Sequence, residues 1–198
     1  MLTHVKWKLF QTGRTAGEDL LPHVDDDGRV LRMLPRAECH RGPGTLHPAV
    51  HLHITDGTGR LYLRKQTAAS ELDPGRWGAA VALHAHAQEP MDTTLARELG
   101  HRLGVSLPPP GTQQGSPQPF LRYKWEDERE SELVFCFLML YHGAISPDPR
   151  FTDEGRFWTR AEISDGIGKG FFAPRFEFEV RLMERSTPRQ GGEKSRLG

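Results

Sequence analysis

Apolar and polar positions change period several times along this chain, and each change marks an element. Leu20 to Val24 and Val30 to Leu34 are short apolar-rich runs on either side of Asp25-Asp26-Asp27-Gly28. An Asp-Gly turn between two such runs predicts a β-hairpin. Arg36 to about His40 reads as a short helical or irregular piece, closed by a turn at Gly42 to Gly44. Ala49 to Thr55 and Arg60 to Lys65 bracket Asp56-Gly57-Thr58-Gly59 and predict a second hairpin. Trp77 to Ala82 reads as one buried strand.

The period then lengthens. Met91, Leu95, Leu99 and Leu103 recur every four residues with Ala96 beside them, the stripe of an amphipathic helix. Gly104 stands where a left-handed C-terminal cap is wanted. From Pro108 to Pro119 the chain is too rich in Pro, Gly, Gln and Ser to pack and predicts a surface loop. Phe120 to Trp125 and Glu132 to Tyr141 predict a strand pair across an acidic turn, and Thr159 to Ile163 and Phe176 to Met183 predict helices. Ser186 to Gly198 is polar and Gly-rich, with the composition of a disordered tail. In the N-terminal extension, 1–17, Val5, Trp7 and Leu9 alternate like an edge strand. Strands and helices mix without strict alternation, which predicts an α+β domain over 18–185.

Composition narrows the functional classes. Lys plus Arg and Asp plus Glu each number 26, so the formal net charge is zero. A general nucleic-acid or membrane-surface binder would show a basic excess. No apolar run reaches membrane-spanning length, and Met1 to Gly17 lacks the apolar core of a signal peptide. Cys39 and Cys136 are far apart and form no Cys-x-x-Cys pair. A cytoplasmic protein, monomeric or homodimeric, is the expectation. The chain carries 10 histidines, a mild excess whose placement matters more than its size.

Strand periodicity puts His47, Ala49, His51 and His53 on one face and Val50, Leu52 and Ile54 on the other. His84 and His86 share a face just before the long helix, and Glu130 and Glu132 share one at a strand start. On the helix, Glu98, His101 and Arg102 fall at i, i+3 and i+4, opposite the apolar stripe. That face offers one carboxylate, one imidazole and one permanent cation. Arg102 repels a divalent metal at close range and can pair with Glu98 or with a phosphate. Any one of these histidines, taken singly, is more often a hydrogen-bonded or exposed residue of a half-buried strand than a ligand.

Spacing gives these residues a family likeness. Glu89, seven residues, Arg97-Glu98-Leu99, and then Gly104-Val105 resemble the Nudix box. The two positions where the box has Glu-Glu are His101 and Arg102, and its leading glycine is Leu83. The stretch from Glu18 to about Met183 resembles the Nudix branch related to isopentenyl-diphosphate isomerase. The marks are the acidic hairpin, Arg36 with His40, Leu46-His47, Leu83-His84 and Glu130-Ser131-Glu132. The resemblance implies a Nudix fold, a mixed β-sheet between helices in an α/β/α sandwich with an N-terminal β-hairpin. It also implies a divalent metal, Mg2+ or Mn2+, held by residues at the positions of His40, His47, His84, Glu130 and Glu132. Three imidazoles and two carboxylates also suit Zn2+.

The same likeness implies action on a small-molecule diphosphate. Hydrolysis of a phosphoanhydride leads, with Glu98, Glu89 and Glu132 as candidate catalytic residues. Arg64, Lys65, Arg76, Arg97 and Arg102 are the candidate phosphate contacts. A Nudix-fold binding module without turnover is the alternative. An isomerase is the third reading, and two positions weigh against it. The isomerase cysteine before the third histidine matches Ala82, which cannot move a proton, and a family tryptophan matches Arg175. Tyr123 aligns loosely with a family tyrosine.

Overall fold

The computed structural model describes residues 20–70, 72–85, 91–108 and 115–186. The expected N-terminal extension, the C-terminal tail from 187 and the candidate catalytic residue Glu89 lie outside them. β1 (Leu20–Val24) and β2 (Val30–Pro35) form the first hairpin as an antiparallel two-stranded sheet. Its turn is closed by Gly28 N–H donating to the Asp25 carbonyl at 2.9 Å, with Gly28 at φ +83°. A β-carbon is disfavoured at that angle, which explains glycine there. α1 (Arg36–Cys39) follows directly.

The main sheet has seven strands. β3 (Leu46–Thr55), β4 (Leu61–Lys65), β5 (Trp77–Gly78), β6 (Val81–His84), β7 (Gln118–Glu126), β8 (Ser131–Leu140) and β9 (Glu154–Trp158) build it. β3 and β8 form its centre and run parallel over ten residue pairs, from Leu46 opposite Ser131 to Thr55 opposite Leu140. On its other side β3 changes partner along its length. Ile54 and Thr55 pair with β4, whereas Ala49 to Leu52 pair with β6. The second hairpin therefore splays just beyond its turn, and β6 fills the opening.

Trp77 to Ala82 is two strands rather than the one expected, broken at Ala79-Ala80. β5 pairs with β4, and β6 pairs with β3. A strand that must serve two partners has to turn between them, and two alanines leave room for that corner. β9, pairing along β4 from Leu61–Trp158 to Lys65–Glu154, has no counterpart among the sequence expectations.

Both faces of the sheet are covered. α2 (Met91–Leu103) places Leu95, Leu99 and Leu103 in one core with Val50, Leu52 and Ile54 of β3 and Leu133, Phe135, Phe137 and Met139 of β8. It ends as the sequence predicts, with Gly104 at φ +62°, Gly104 N–H on the Gly100 carbonyl and Val105 N–H on the Leu99 carbonyl. On the opposite face Val134, Cys136, Ala49 and Tyr123 meet Phe178 and Leu182 of α4 (Pro174–Ser186). Phe176 and Val180 of α4 join Trp77, Trp158 and Phe172 in a third cluster. α3 (Arg160–Gly166) starts on a capping box, Glu162 N–H donating to Thr159 Oγ1 while the Glu162 carboxylate accepts from Thr159 N–H.

Leu99 is fully buried between helix and sheet. Leu99→Ala is expected to destabilise the chain by about 2–5 kcal/mol through lost burial and the cavity left behind. The measurement is urea unfolding with a lower midpoint at unchanged slope.

Candidate metal and anion site

The sheet register delivers the first group of side chains. In β3, His47 stands opposite Glu132 of β8, and Ala49 stands opposite His84 of β6. His40 caps the end of α1, its N–H on the Arg36 carbonyl at 3.2 Å. The Asp127 carboxylate accepts from Glu130 N–H at 3.1 Å in the turn before β8 and so fixes Glu130. These elements bring three imidazoles together, with ring centroids 4.8 to 5.3 Å apart. All three Nε2 atoms surround one oxygen. Glu130 Oε2 lies 3.2 Å from His40, 3.6 Å from His47 and 3.6 Å from His84. One ligand atom from each of His40, His47, His84 and Glu130 falls within 4.8 Å of all the others.

Whether the residues fit a metal ion is decided by their unsatisfied atoms. His47 Nδ1 lies 2.9 Å from the Thr45 carbonyl, which assigns the ring proton to Nδ1 and turns the Nε2 lone pair toward Glu130. Nε2 of His40, Nε2 of His47 and Oε2 of Glu130 are all buried without a hydrogen bond. Lone pairs facing a carboxylate oxygen across a dry gap are unfavourable unless a cation lies between them. Burial and the nearby His84 push His40 below the usual imidazole value, which keeps it a neutral donor. The donor set therefore fits a divalent ion.

Glu132 stands one step outside this group. Its Oε1 is 3.1 Å from His84 Nε2 and its Oε2 is 2.9 Å from Arg175 Nη1. Arg175, on the first turn of α4, also pairs with Glu130 and lies 3.7 Å from Asp127. Burial lowers the Arg175 guanidinium, but Glu132 and Glu130 more than reverse that. Burial likewise opposes charge on Glu130, yet the Arg175 guanidinium beside it favours the carboxylate, and its carboxyl lies far below the ordinary range. Arg175 entered the sequence reading only as the residue at a family tryptophan. In the structure it bridges the two carboxylates of the histidine cluster.

A cavity of about 580 Å3 opens beside this cluster. Its wall includes Arg36, Arg64, Arg102 and Arg175 together with His84 and Glu132. Arg64 is 4% exposed, and among the described residues no carboxylate pairs with it. Its Nη1 donates to Gln66 Oε1 at 2.8 Å and to the Phe151 carbonyl at 3.2 Å, and its Nε has no partner. Burial, with the Arg102 charge nearby, pushes Arg64 down to about 10. A buried guanidinium without a counter-ion, facing a cavity, is a site for an anion.

The other sequence candidates lie elsewhere. Arg76 lines a smaller pocket of about 390 Å3 that also includes Arg175. Neither Lys65 nor Arg97 belongs to the wall of the 580 Å3 cavity. Arg97 pairs with Glu98, which Arg102 also grips, Nε to Oε2 at 2.5 Å. Burial raises Glu98 and the two arginines lower it below the usual value. Glu98 is thus doubly neutralised by arginine. His101 faces Phe151 and Arg150.

Sequence reasoning missed Glu179 altogether. It is fully buried on α4, its carboxylate accepting from His51, from His53 Nε2 at 2.8 Å and from Tyr123 O–H at 2.6 Å. Cys136 Sγ is 3.5 Å away. The available signal was an acid at i+3 from Phe176, on the apolar face of the helix. His51, Cys136 and Glu179 are also close enough to share a metal. Their atoms are already consumed by mutual hydrogen bonds, however, and burial, with Glu179 beside it, holds the Cys136 thiol strongly protonated. His47, His51 and His53 are all buried, so β3 is covered on both faces, where the sequence suggested a half-buried strand.

No family model matches the chain. A Deinococcus radiodurans protein of known structure superposes with a TM-score of 0.64 at 15% identity, covering 86% of this chain and 100% of the other. The NUDIX domain of Shewanella oneidensis NrtR, solved with ADP ribose, superposes with a TM-score of 0.54 at 16% identity, covering 72% and 88%. This chain has the Nudix fold. Its sequence is also similar to isopentenyl-diphosphate Delta-isomerase of Streptomyces griseus, 29% identical over 166 residues, 82% of each chain. The mixed sheet between helices expected of a Nudix fold is therefore present. In this Nudix fold α2 packs Leu95, Leu99 and Leu103 against the sheet as expected, while Arg97, Glu98 and Arg102 on its other face form an arginine–glutamate cluster.

Proposed function

We propose that the chain binds a divalent metal ion through His40, His47, His84 and Glu130, with Glu132 adjoining, and hydrolyses a small-molecule diphosphate held in the neighbouring cavity. The observation that carries this is the convergence of three imidazole nitrogens on one carboxylate oxygen, beside a cavity holding a buried, unpaired guanidinium. A divalent ion supplies Lewis acidity toward a phosphoryl oxygen. Three imidazoles and a carboxylate suit Mn2+ or Zn2+ better than Mg2+, which prefers oxygen ligands. Arg64 and Arg102 bind phosphoryl oxygens, and Gln66 with the Phe151 carbonyl holds the Arg64 fork in place. The NrtR domain, which shares the fold, was solved with a diphosphate compound, ADP ribose. Ala82 on the cavity wall and the Arg175 charge beside it give no support to isomerase chemistry, which needs a proton carrier there and an environment tolerant of a carbocation.

Phosphate release from nucleoside and prenyl diphosphates, assayed with Mg2+, Mn2+ and Zn2+, tests the hydrolase. Release above the protein-free baseline is expected with at least one pair, and none with any pair overturns it. Arg64→Met should weaken binding of methylene diphosphonate by about 10- to 100-fold, the worth of charge-assisted hydrogen bonds. Binding of the diphosphonate without release from any substrate would favour a second reading, a binding module that does not turn over. The double pairing of Glu98 with Arg97 and Arg102 is the observation behind that reading.

A further inference from the structure

Hydrolysis in this cavity needs a group that takes a proton from water, and the acids near the cavity are poorly suited. Glu132 is held between His84 and Arg175, and Glu179 accepts from His51, His53 and Tyr123. Asp73 also lines the cavity, yet an anionic base repels an anionic diphosphate. His51 differs from all three. His51 lines the cavity, its Nδ1 is committed to the Glu179 carboxylate, and no hydrogen bond engages its Nε2 among the described residues.

The carboxylate assigns the ring proton to Nδ1, so Nε2 carries a lone pair. Glu179 is in turn immobilised from the far side. His53 Nε2 occupies its Oε2, while Tyr123 donates to the same Oε1 that His51 engages. An imidazole oriented by a buried carboxylate, itself oriented by further donors, has the arrangement of a general base with its supports. Neutral imidazole is also a base that can sit among Arg64, Arg102 and Arg175 beside a diphosphate without adding negative charge.

Resting on the hydrolase reading above, we propose that His51 is the general base of this cavity and that Glu179 is the residue that positions it. His51 Nε2 accepts a proton from water as the water oxygen bonds to phosphorus. The bridging P–O bond breaks, its electron pair leaves with the departing phosphate, and the imidazolium returns the proton to that oxygen. The sheet register explains the placement. His51 stands opposite Ala82 on one side and Cys136 on the other.

The test measures kcat, KM and Mn2+ binding on the full chain. His51→Ala should lower kcat by roughly 100- to 10,000-fold with Mn2+ affinity unchanged, and added imidazole should restore part of the rate. Glu179→Gln should lower kcat with KM unchanged, and imidazole should not rescue it. Turnover of His51→Ala within twofold of the parent overturns the base assignment and leaves the hydrolase standing. Loss of turnover in Asp73→Asn with His51→Ala unaffected gives the role to Asp73 and also overturns it. No turnover by the parent itself removes the hydrolase reading and the base with it, an outcome distinct from the other two.

Discussion

Glu130→Gln is expected to weaken Mn2+ or Zn2+ binding by about a hundredfold or more, a larger loss than outer-shell changes at metal sites produce. The reason is geometric. Glu130 Oε2 is the single anionic atom that all three Nε2 atoms face, so removing its charge removes the centre of the donor set. The amide keeps the side chain's length and can still accept from Arg175. Fold and metal site are therefore separable in this variant. Calorimetry of metal binding measures the loss directly. Thermal unfolding gives a second readout, since an ion at a hundred times its Kd stabilises the native chain by about 2.7 kcal/mol. The parent should gain several degrees on metal addition and lose them with a chelator, while Glu130→Gln should show no such shift. Equal affinity and an equal shift in both proteins would overturn the metal assignment.

Much of this molecule is legible in its sequence where one element decides the outcome. The four-residue spacing of Leu95, Leu99 and Leu103 is a property of one helix, and all three are buried as that spacing requires. The Asp-Gly turn at Gly28 is equally local. β9 is harder to see, because Glu154-Gly155-Arg156-Phe157-Trp158 has no two-residue alternation, and its strand character comes from pairing with β4. The corner at Ala79-Ala80 exists because β5 pairs with β4 and β6 with β3, a tertiary fact carried by no turn residue. His40, His47, His84, Glu130 and Glu132 could be named from spacing and resemblance, and the structure brings the first four to a common point with Glu132 alongside. Arg175 and Glu179 could not. Each is one of several charged residues on α4, and its meaning depends on side chains more than 40 residues away in sequence.

Glu179→Gln is expected to lower stability by about 3 kcal/mol at neutral pH, as a buried carboxylate loses charge-assisted hydrogen bonds and leaves its partners uncompensated. The four groups around it are His51, His53, Tyr123 and Cys136. Burial raises the Glu179 carboxyl, but His51 and His53 more than reverse this and hold it well below the ordinary value of 4.5. A carboxyl lowered on folding binds fewer protons in the native than in the unfolded state, so its contribution is fully present above the unfolded value. It is lost as pH falls from there toward the folded value. The stability gap between parent and Glu179→Gln should therefore be widest above about pH 5 and narrow progressively on acidification. Urea unfolding of the two proteins across pH 3 to 8 measures it. A gap that stays constant below pH 4.5, or that widens there, would mean that Glu179 is not the charged centre of this network.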